Sequence, residues 1–341
     1  MIVMVLFLIT IGSTWLLTAL LRRYALSRSL IDIPNKRSSH MVPTPRGGGL
    51  AFVFSFLTMT VVFYSFNELP MTSMMALVGA GIWIAFVGFL DDHSHIAARW
   101  RLLAHFAGAV WVLIWLDGLP PLPIFGSLFD FGKAGNVLAV VYLVWLLNLY
   151  NFMDGIDGIA SIETITVCLG AGVLAWLIVS ESRAWLLPLL LASAVSGFLF
   201  WNFPRARIFM GDGGSGFLGI TLGIFSIDTG WIAHQFFWVW VILLGVFNVD
   251  ATVTLLRRLS RGEKFYIAHR DHAYQHAVRK FGGHRQVSLA VGALNAFWLF
   301  PLSMLVALNF LDGITGLALA YIPLIWLAFK FKAGVMNPES L

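Results

Sequence analysis

Val137-Leu-Ala-Val-Val-Tyr-Leu-Val-Trp-Leu-Leu-Asn148-Leu-Tyr-Asn151-Phe-Met-Asp154-Gly-Ile-Asp157-Gly158 decides the architecture. A bilayer span takes about 20 mostly apolar residues, and this run supplies one. It then stops abruptly in Asn, Asp and Gly, so its carboxylates fall at a membrane surface. Ten further apolar stretches flank it, giving eleven candidates at roughly 1–21, 47–66, 72–90, 102–118, 136–153, 164–180, 184–203, 215–227, 231–256, 287–310 and 314–329. The eighth is short and the ninth long. Composition agrees: 59% of the 341 residues are hydrophobic and 11% charged, against about 25% charged in a soluble domain. Mean hydropathy is +0.84. A soluble enzyme, a disordered chain and a secreted disulfide scaffold are excluded, the last because Cys168 is the sole cysteine.

Of the 22 Lys and Arg, 20 fall in the odd-numbered connections and the C-terminal tail; only Lys133 and Arg183 fall in the even-numbered ones. Basic loops stay cytoplasmic. The sequence therefore predicts an all-α polytopic integral membrane protein of about eleven transmembrane helices, with the N-terminus outside and the C-terminus cytoplasmic. The first apolar run is long enough to span and lacks the basic start of a cleaved signal peptide. One transmembrane domain, 1–341, is expected, with its active-site loops at 22–46, 91–101, 154–163, 204–214 and 257–286. The basic face suits anionic lipid headgroups and an anionic ligand equally.

Five carboxylates collect at the basic ends of these stretches: Asp91 and Asp92, Asp154 and Asp157, and Asp212 in Phe209-Met-Gly-Asp212-Gly-Gly-Ser-Gly216. A single acid at a span end reads as a solvated loop residue. Three short acidic loops rich in Gly or Asn read as a hard-cation site, because Mg²⁺ takes one or two carboxylates plus substrate phosphates and water. Glycines let main-chain N–H groups approach a phosphate, and basic residues of the largest loop neutralise further charge. The cluster reads as metal plus diphosphate at the membrane surface.

Asn148, Asn151 and Asp154 recur every three residues and share a face if the helix continues; the competing reading is Asx capping. Gly211 to Gly216 matches G-x-G-x-x-G, but no strand precedes it, so a dinucleotide site is discarded. His93 and His95 read as solvated loop residues. His269, His272 and His276 share a face if helical, yet zinc wants closer convergence and further ligands; Arg270 and His272 are better read as phosphate-binding groups. Asp250 lies within a span, and a structural ion pair with Arg257 or Arg258 is its preferred reading.

Taken together, Thr44-Pro-Arg46-Gly-Gly-Gly49, Asp91-Asp92, Asn148-x-x-Asn151-x-x-Asp154-Gly-x-Asp157-Gly158 and Asn202-x6-Phe209-Met-Gly211-Asp212-x-Gly-Ser215 resemble the polyprenyl-phosphate N-acetylhexosamine-1-phosphate transferases. That family includes the phospho-N-acetylmuramoyl-pentapeptide translocase, and the likeness runs from about Asp32 to Gln286. It implies transfer of a sugar 1-phosphate from a UDP-N-acetylhexosamine to polyprenyl phosphate, releasing UMP, at the cytoplasmic face of a bacterial inner membrane. It implies Mg²⁺, with Mn²⁺ as the alternative, on Asp212 with Asp91 and Asp92 close by, and Asp91 as candidate base for the lipid phosphate. Catalysis falls to Asp91, Asp92, Asp154 and Asp212. Asn148, Asn151 and Asp154 would line the diphosphate site, with Arg46, Gly211, Arg270 and His272 also binding substrate; Asn202, Asp157 and Phe209 would hold uridine, Phe209 by stacking.

The family's histidine-rich loop is altered here: His272 is followed by Ala273, Tyr274 and Gln275. This departure points to the O-antigen-initiating branch. No nucleic-acid partner is expected, and self-association is left open. Two rivals stand beside this reading: a CDP-alcohol phosphotransferase, since Asp154-Gly-Ile-Asp157-Gly158 resembles the start of its motif, and an anion transporter, which would put its polar groups near mid-span.

Overall fold

The computed structural model describes residues 2–28, 30–33, 42–94, 96–263 and 270–336. In chain order it contains α1 (Ile2–Ser27), β1 (Ile31–Asp32), β2 (Thr44–Pro45), α2 (Leu50–Ser65), α3 (Met71–Ser94), α4 (Ala98–Leu116), β3 (Leu122–Ile124), β4 (Ser127–Phe129), α5 (Gly132–Met153) and α6 (Ile159–Ile178). There follow α7 (Leu186–Asn202), α8 (Asp212–Ile232), α9 (Gln235–Leu243), α10 (Gly245–Ser260), α11 (Ala273–Phe281), α12 (His284–Leu294), α13 (Phe300–Ala307) and α14 (Gly313–Lys330). A π turn at Asn295–Leu299 links α12 to α13. Seven helical segments are long and apolar enough to cross a membrane, or eight if the bent pair α9–α10 is one span; α2 and α7 are shorter apolar helices. This is a polytopic membrane architecture.

Two expectations need correcting. The ninth stretch is not one continuous helix: α9 and α10 meet at Leu244 with a bend of 68°. Beside the helices, β1–β2 and β3–β4 form two short antiparallel ladders. In the first, Ile31 faces Pro45 and Asp32 faces Thr44, which fixes the strand that leads into Arg46. Second, His93 is not in a loop; it lies in the last turn of α3, with Nδ1 2.8 Å from the Phe89 carbonyl. His95 and His269 lie outside the described residues, as do parts of the loops at 22–46 and 257–286.

The centre of the bundle is α8, buried at every residue from Gly213 to Ile227. A helix apolar all round belongs in a core, and this one packs on α3 and α5 through glycine. A Cβ on Gly219 would lie 2.5 Å from the Leu146 carbonyl oxygen, and one on Gly88 would lie 2.4 Å from the Gly213 nitrogen. Backbones this close bring the cluster ends of α3, α5 and α8 together. Around them Phe54, Trp83, Phe86, Ile114 and Val137 are exposed. So continuous an apolar exterior fits lipid and not water.

Candidate active site

The start of α8 organises the site. Gly211 precedes it at φ +80°, a region that favours glycine, and a Cβ there would sit 2.6 Å from an Asp92 carboxylate oxygen. The Asp212 N–H, which has no intrahelical partner, donates to both oxygens of Asp92, at 3.2 and 3.1 Å. Residues 45–49 lie alongside: Phe209 N–H donates to the Pro45 carbonyl at 2.8 Å, and Gly48 and Gly49 N–H donate to Phe209 and Met210 carbonyls at 2.9 Å each. The Thr44–Gly49 and Phe209–Ser215 motifs are thus one structural unit.

Charge is arranged around Asp212. The carboxyls of Asp91 and Asp212 meet within hydrogen-bonding distance. Arg101 pairs with Asp91 and stands 3.8 Å from Asp212; Arg46 pairs with Asp92 and stands 3.9 Å from Asp212. Ile96 N–H also donates to Asp91, at 2.8 Å. Arg46, close to three aspartates, is held above its ordinary pKa by Asp92, Asp212 and Asp32 against the opposing effect of burial. Asn151 donates to Ser215 Oγ at 3.1 Å and reaches Asp212. Asn148 donates to the Val144 carbonyl at 2.7 Å, hydrogen-bonds His105, and shares a small polar pocket with Arg101, Asn151 and Asp212. Asp154 ends α5; loss of hydration and the charges of Asp212, Asp92 and Asp157 push its carboxyl well above the usual range.

Beside this cluster opens a cleft of about 670 Å³ lined by Asp157, Arg205, Phe209, His284, Arg285 and Gln286 among others. Asp157 ties its walls together. It accepts from Ala206 N–H at 3.1 Å, its other oxygen lies 3.3 Å from His284 Nδ1, and its carbonyl accepts from Ser288 Oγ at 2.8 Å. Asn202 is buried and spends both ends of its amide on main chain, accepting from Gly158 N–H at 3.0 Å and donating to the Ile208 carbonyl at 3.1 Å. The structure therefore gives Asn202 the job of fastening the loops around the cleft; its sequence-stretch neighbour Phe209 is the one that lines it.

Two further expectations are corrected. Asp250 does not pair with Arg257 or Arg258: Arg257 donates to the Ala333 carbonyl at 2.8 Å, and Arg258 pairs with Glu263 at 2.7 Å. Asp250 instead accepts from Ala273 and Tyr274 N–H at 2.9 Å each and lies 3.3 Å from His272 Nδ1. It caps α11 from outside that helix. His272 is buried as the N-cap of α11, so it is not displayed to a substrate phosphate. Arg270 stands beside Arg279, which donates to its carbonyl at 3.3 Å; among the described residues Arg46 and Arg101 are the cations paired with the cluster carboxylates. Tyr274 donates to the Phe152 carbonyl at 3.1 Å and docks α11 beside Asp154.

Residues 74–230 match the model of glycosyl transferase family 4. The match takes in Asp91, Asp92, Asn148 to Gly158 and Asn202 to Ser215, the same segments that converge at the start of α8. Over these residues the chain is similar to this family. It is 29% identical to the probable undecaprenyl-phosphate N-acetylglucosaminyl 1-phosphate transferase of Bacillus subtilis over 89% of this chain and 84% of that one. It is 26% identical to the decaprenyl-phosphate N-acetylglucosaminephosphotransferase of Mycobacterium tuberculosis, over 82% and 76%. With the phospho-N-acetylmuramoyl-pentapeptide-transferase of Bacillus licheniformis it shares 28% over 74% and 81%. Of the residues at the site, Arg101 and His105 are the two that the motifs do not mark, although each is an ionisable residue at or inside an apolar stretch.

Proposed function

We propose that this protein transfers an N-acetylhexosamine 1-phosphate from a UDP-sugar to a polyprenyl phosphate, releasing UMP and leaving a lipid-diphosphate-sugar that initiates a cell-surface polysaccharide such as O-antigen. The meeting of Asp91 and Asp212 carries the reading. Two ionised carboxyls that meet repel, and Arg101 sets one positive charge against their two negatives, which leaves room for a bound cation. Among the described residues no group of three or more His, Cys, Asp or Glu forms a metal cage. Mg²⁺ does not require one, since substrate phosphates and water complete its shell. Asp212 and Asp91 fit as its protein ligands; Asp92, also expected there, already serves Arg46 and the Asp212 N–H. Bound there, the ion would neutralise charge on phosphate oxygens.

The donor's uridine occupies the 670 Å³ cleft, with Phe209 offering a stacking face and Arg205 and Arg285 positive charge. Arg46 and Arg101 hold phosphate oxygens and keep the reacting groups in line, the main contribution a protein makes to phosphoryl transfer. A lipid phosphate oxygen forms a bond to the β-phosphorus; the bond to the bridging oxygen breaks, and UMP departs with that oxygen. Asp91 acts by position. Its oxygens already accept from Arg101 and Ile96, and a phosphate monoester with a second pKa near ~6 is largely dianionic at pH 7. An apolar groove of about 340 Å³ between α10, α11, α12 and α14 suits the first isoprene units of the acceptor. Assignment to the O-antigen branch rests on Tyr274 and Gln275, and the cytoplasmic placement rests on the basic loops at this end.

The test is UMP release by the purified protein with Mg²⁺, a polyprenyl phosphate and a panel of UDP-N-acetylhexosamines and CDP-alcohols. Metal- and lipid-dependent release with one UDP donor, abolished in Asp212→Ala, is expected. Turnover of a CDP donor instead, or no binding of UDP, would overturn the reading.

A further inference from the structure

Glu163 lies in α6, fully buried, six residues beyond Asp157. Among the described residues no Lys, Arg or His pairs with it; the titratable groups facing it from neighbouring helices are Tyr150 of α5 and Tyr321 of α14. Its Oε2 accepts from Asn295 Nδ2 at 2.7 Å, and the same amide nitrogen donates to Thr166 Oγ1 at 2.8 Å. The other oxygen of each group, Glu163 Oε1 and Asn295 Oδ1, is buried without a hydrogen-bond partner. Turning the amide over gives no relief. It would set Oδ1 against Oε2 and against Thr166 Oγ1, whose hydrogen already goes to the Ile162 carbonyl at 2.8 Å.

An ionised carboxylate only accepts, so it leaves both oxygens unmatched and also carries an unpaired charge into the core. Either cost alone is several kcal/mol, which is why such a group neutralises instead. One proton on Oε1 resolves both orphans at once: the acid O–H donates to Asn295 Oδ1 while the amide N–H donates to Oε2. We propose that Glu163 is held as the neutral acid in a two-way pair with Asn295, and that this pair is a positioning device for the substrate cleft.

Its place in the packing gives it that role. α6 and α12 run side by side from the cleft inward. At the mouth Asp157 meets His284 and Ser288. Deeper, a Cβ on Gly292 would touch Ile162 at 3.0 Å. Deepest is the Glu163–Asn295 pair, where the helix widens into the π turn Asn295–Leu299, a distortion common at functional positions. Apolar contacts let helices slide, whereas a buried polar pair fixes register. Here the register sets how far His284, Arg285 and Gln286 stand from Asp157 and Phe209.

Infrared difference spectroscopy on the purified full-length protein in lipid tests the pair without any substrate. A protonated-carboxyl C=O band that persists from pH 6 to 9, vanishes in Glu163→Gln and shifts upward in Asn295→Leu is expected. Absence of that band in the wild type, or its survival in Glu163→Gln, overturns the pair. The second arm rests on the UDP-sugar reading above. Glu163→Gln, which keeps one donor and one acceptor, should hold the donor KM within about threefold, and Asn295→Leu should raise it about tenfold with a smaller change in kcat. An unchanged donor KM in Asn295→Leu, or equal damage by Glu163→Gln, overturns the positioning role. Failure of every UDP donor would sink the earlier reading, while the infrared band still decides the pair.

Discussion

Arg101 bridges the two carboxyls most central to the site, being paired with Asp91 and 3.8 Å from Asp212. Arg101→Ala removes the only charge partner of Asp91 among the described residues and a donor aimed at phosphate, so the rate of lipid-linked product formation should fall about a hundredfold. Arg101→Lys should recover part of it, because the charge is kept while the rigid, planar donor geometry is lost. Asp154 has the opposite character, since burial and three neighbouring carboxylates raise its pKa. The folded state then binds more protons than the unfolded state at any pH above the ordinary aspartate value. Stability attached to this group is therefore largest in acid and falls as pH rises through the raised pKa. A detergent-solubilised melting series should show Tm declining over that window in the wild type. Asp154→Asn should flatten the decline and melt higher at neutral pH while losing activity.

At the scale of elements, α11 is a nine-residue helix held by groups outside itself. Asp250 takes its first two N–H groups, and Tyr274 fastens it to the end of α5. A cap of this sort is worth about 0.5–2 kcal/mol, enough to decide whether so short a helix stays folded. Asp250→Ala should raise hydrogen exchange across 273–281 before the bundle melts and slow turnover, with α3, α5 and α8 keeping wild-type protection. Equal protection of α11 in the variant would show that Asp250 is not its anchor. Two side chains of the same helix, Tyr274 and Gln275, add to this anchoring. They hold the loop on the bundle, Tyr274 through Phe152 and Gln275 through the capping box with His272.

Across the whole molecule, acids and bases of the site gather at one end of a bundle whose flanks are apolar. The 20-to-2 partition of basic residues predicts that this end faces the cytoplasm. Cys168 is buried in α6, so a Cys168→Ser background allows single cysteines to report sidedness. Ser182→Cys should react with a membrane-impermeant maleimide on intact cells, and Ser260→Cys only after lysis. The reverse pattern would invert the topology and put the site on the wrong side for a cytoplasmic nucleotide.

Hydropathy by itself determined that this chain lies in a membrane and that its apolar stretches are helical, because main chain desolvated in lipid must satisfy its hydrogen bonds internally. Local motifs likewise marked Asp91, Asp92, Asn151, Asp154 and Asp212, since acids and glycines beside apolar runs are conspicuous there. Only the tertiary structure decided partners. Arg46 and Arg101 lie 46 and 10 residues from the aspartates they pair with, and spacing along a chain does not encode such contacts. For the same reason Asp250 was matched to nearby arginines when its partners lie 22 to 24 residues on. The break at Leu244 and the Glu163–Asn295 contact are settled by helix–helix packing across the bundle, where hydrogen bonds left open by one helix are met by side chains of another.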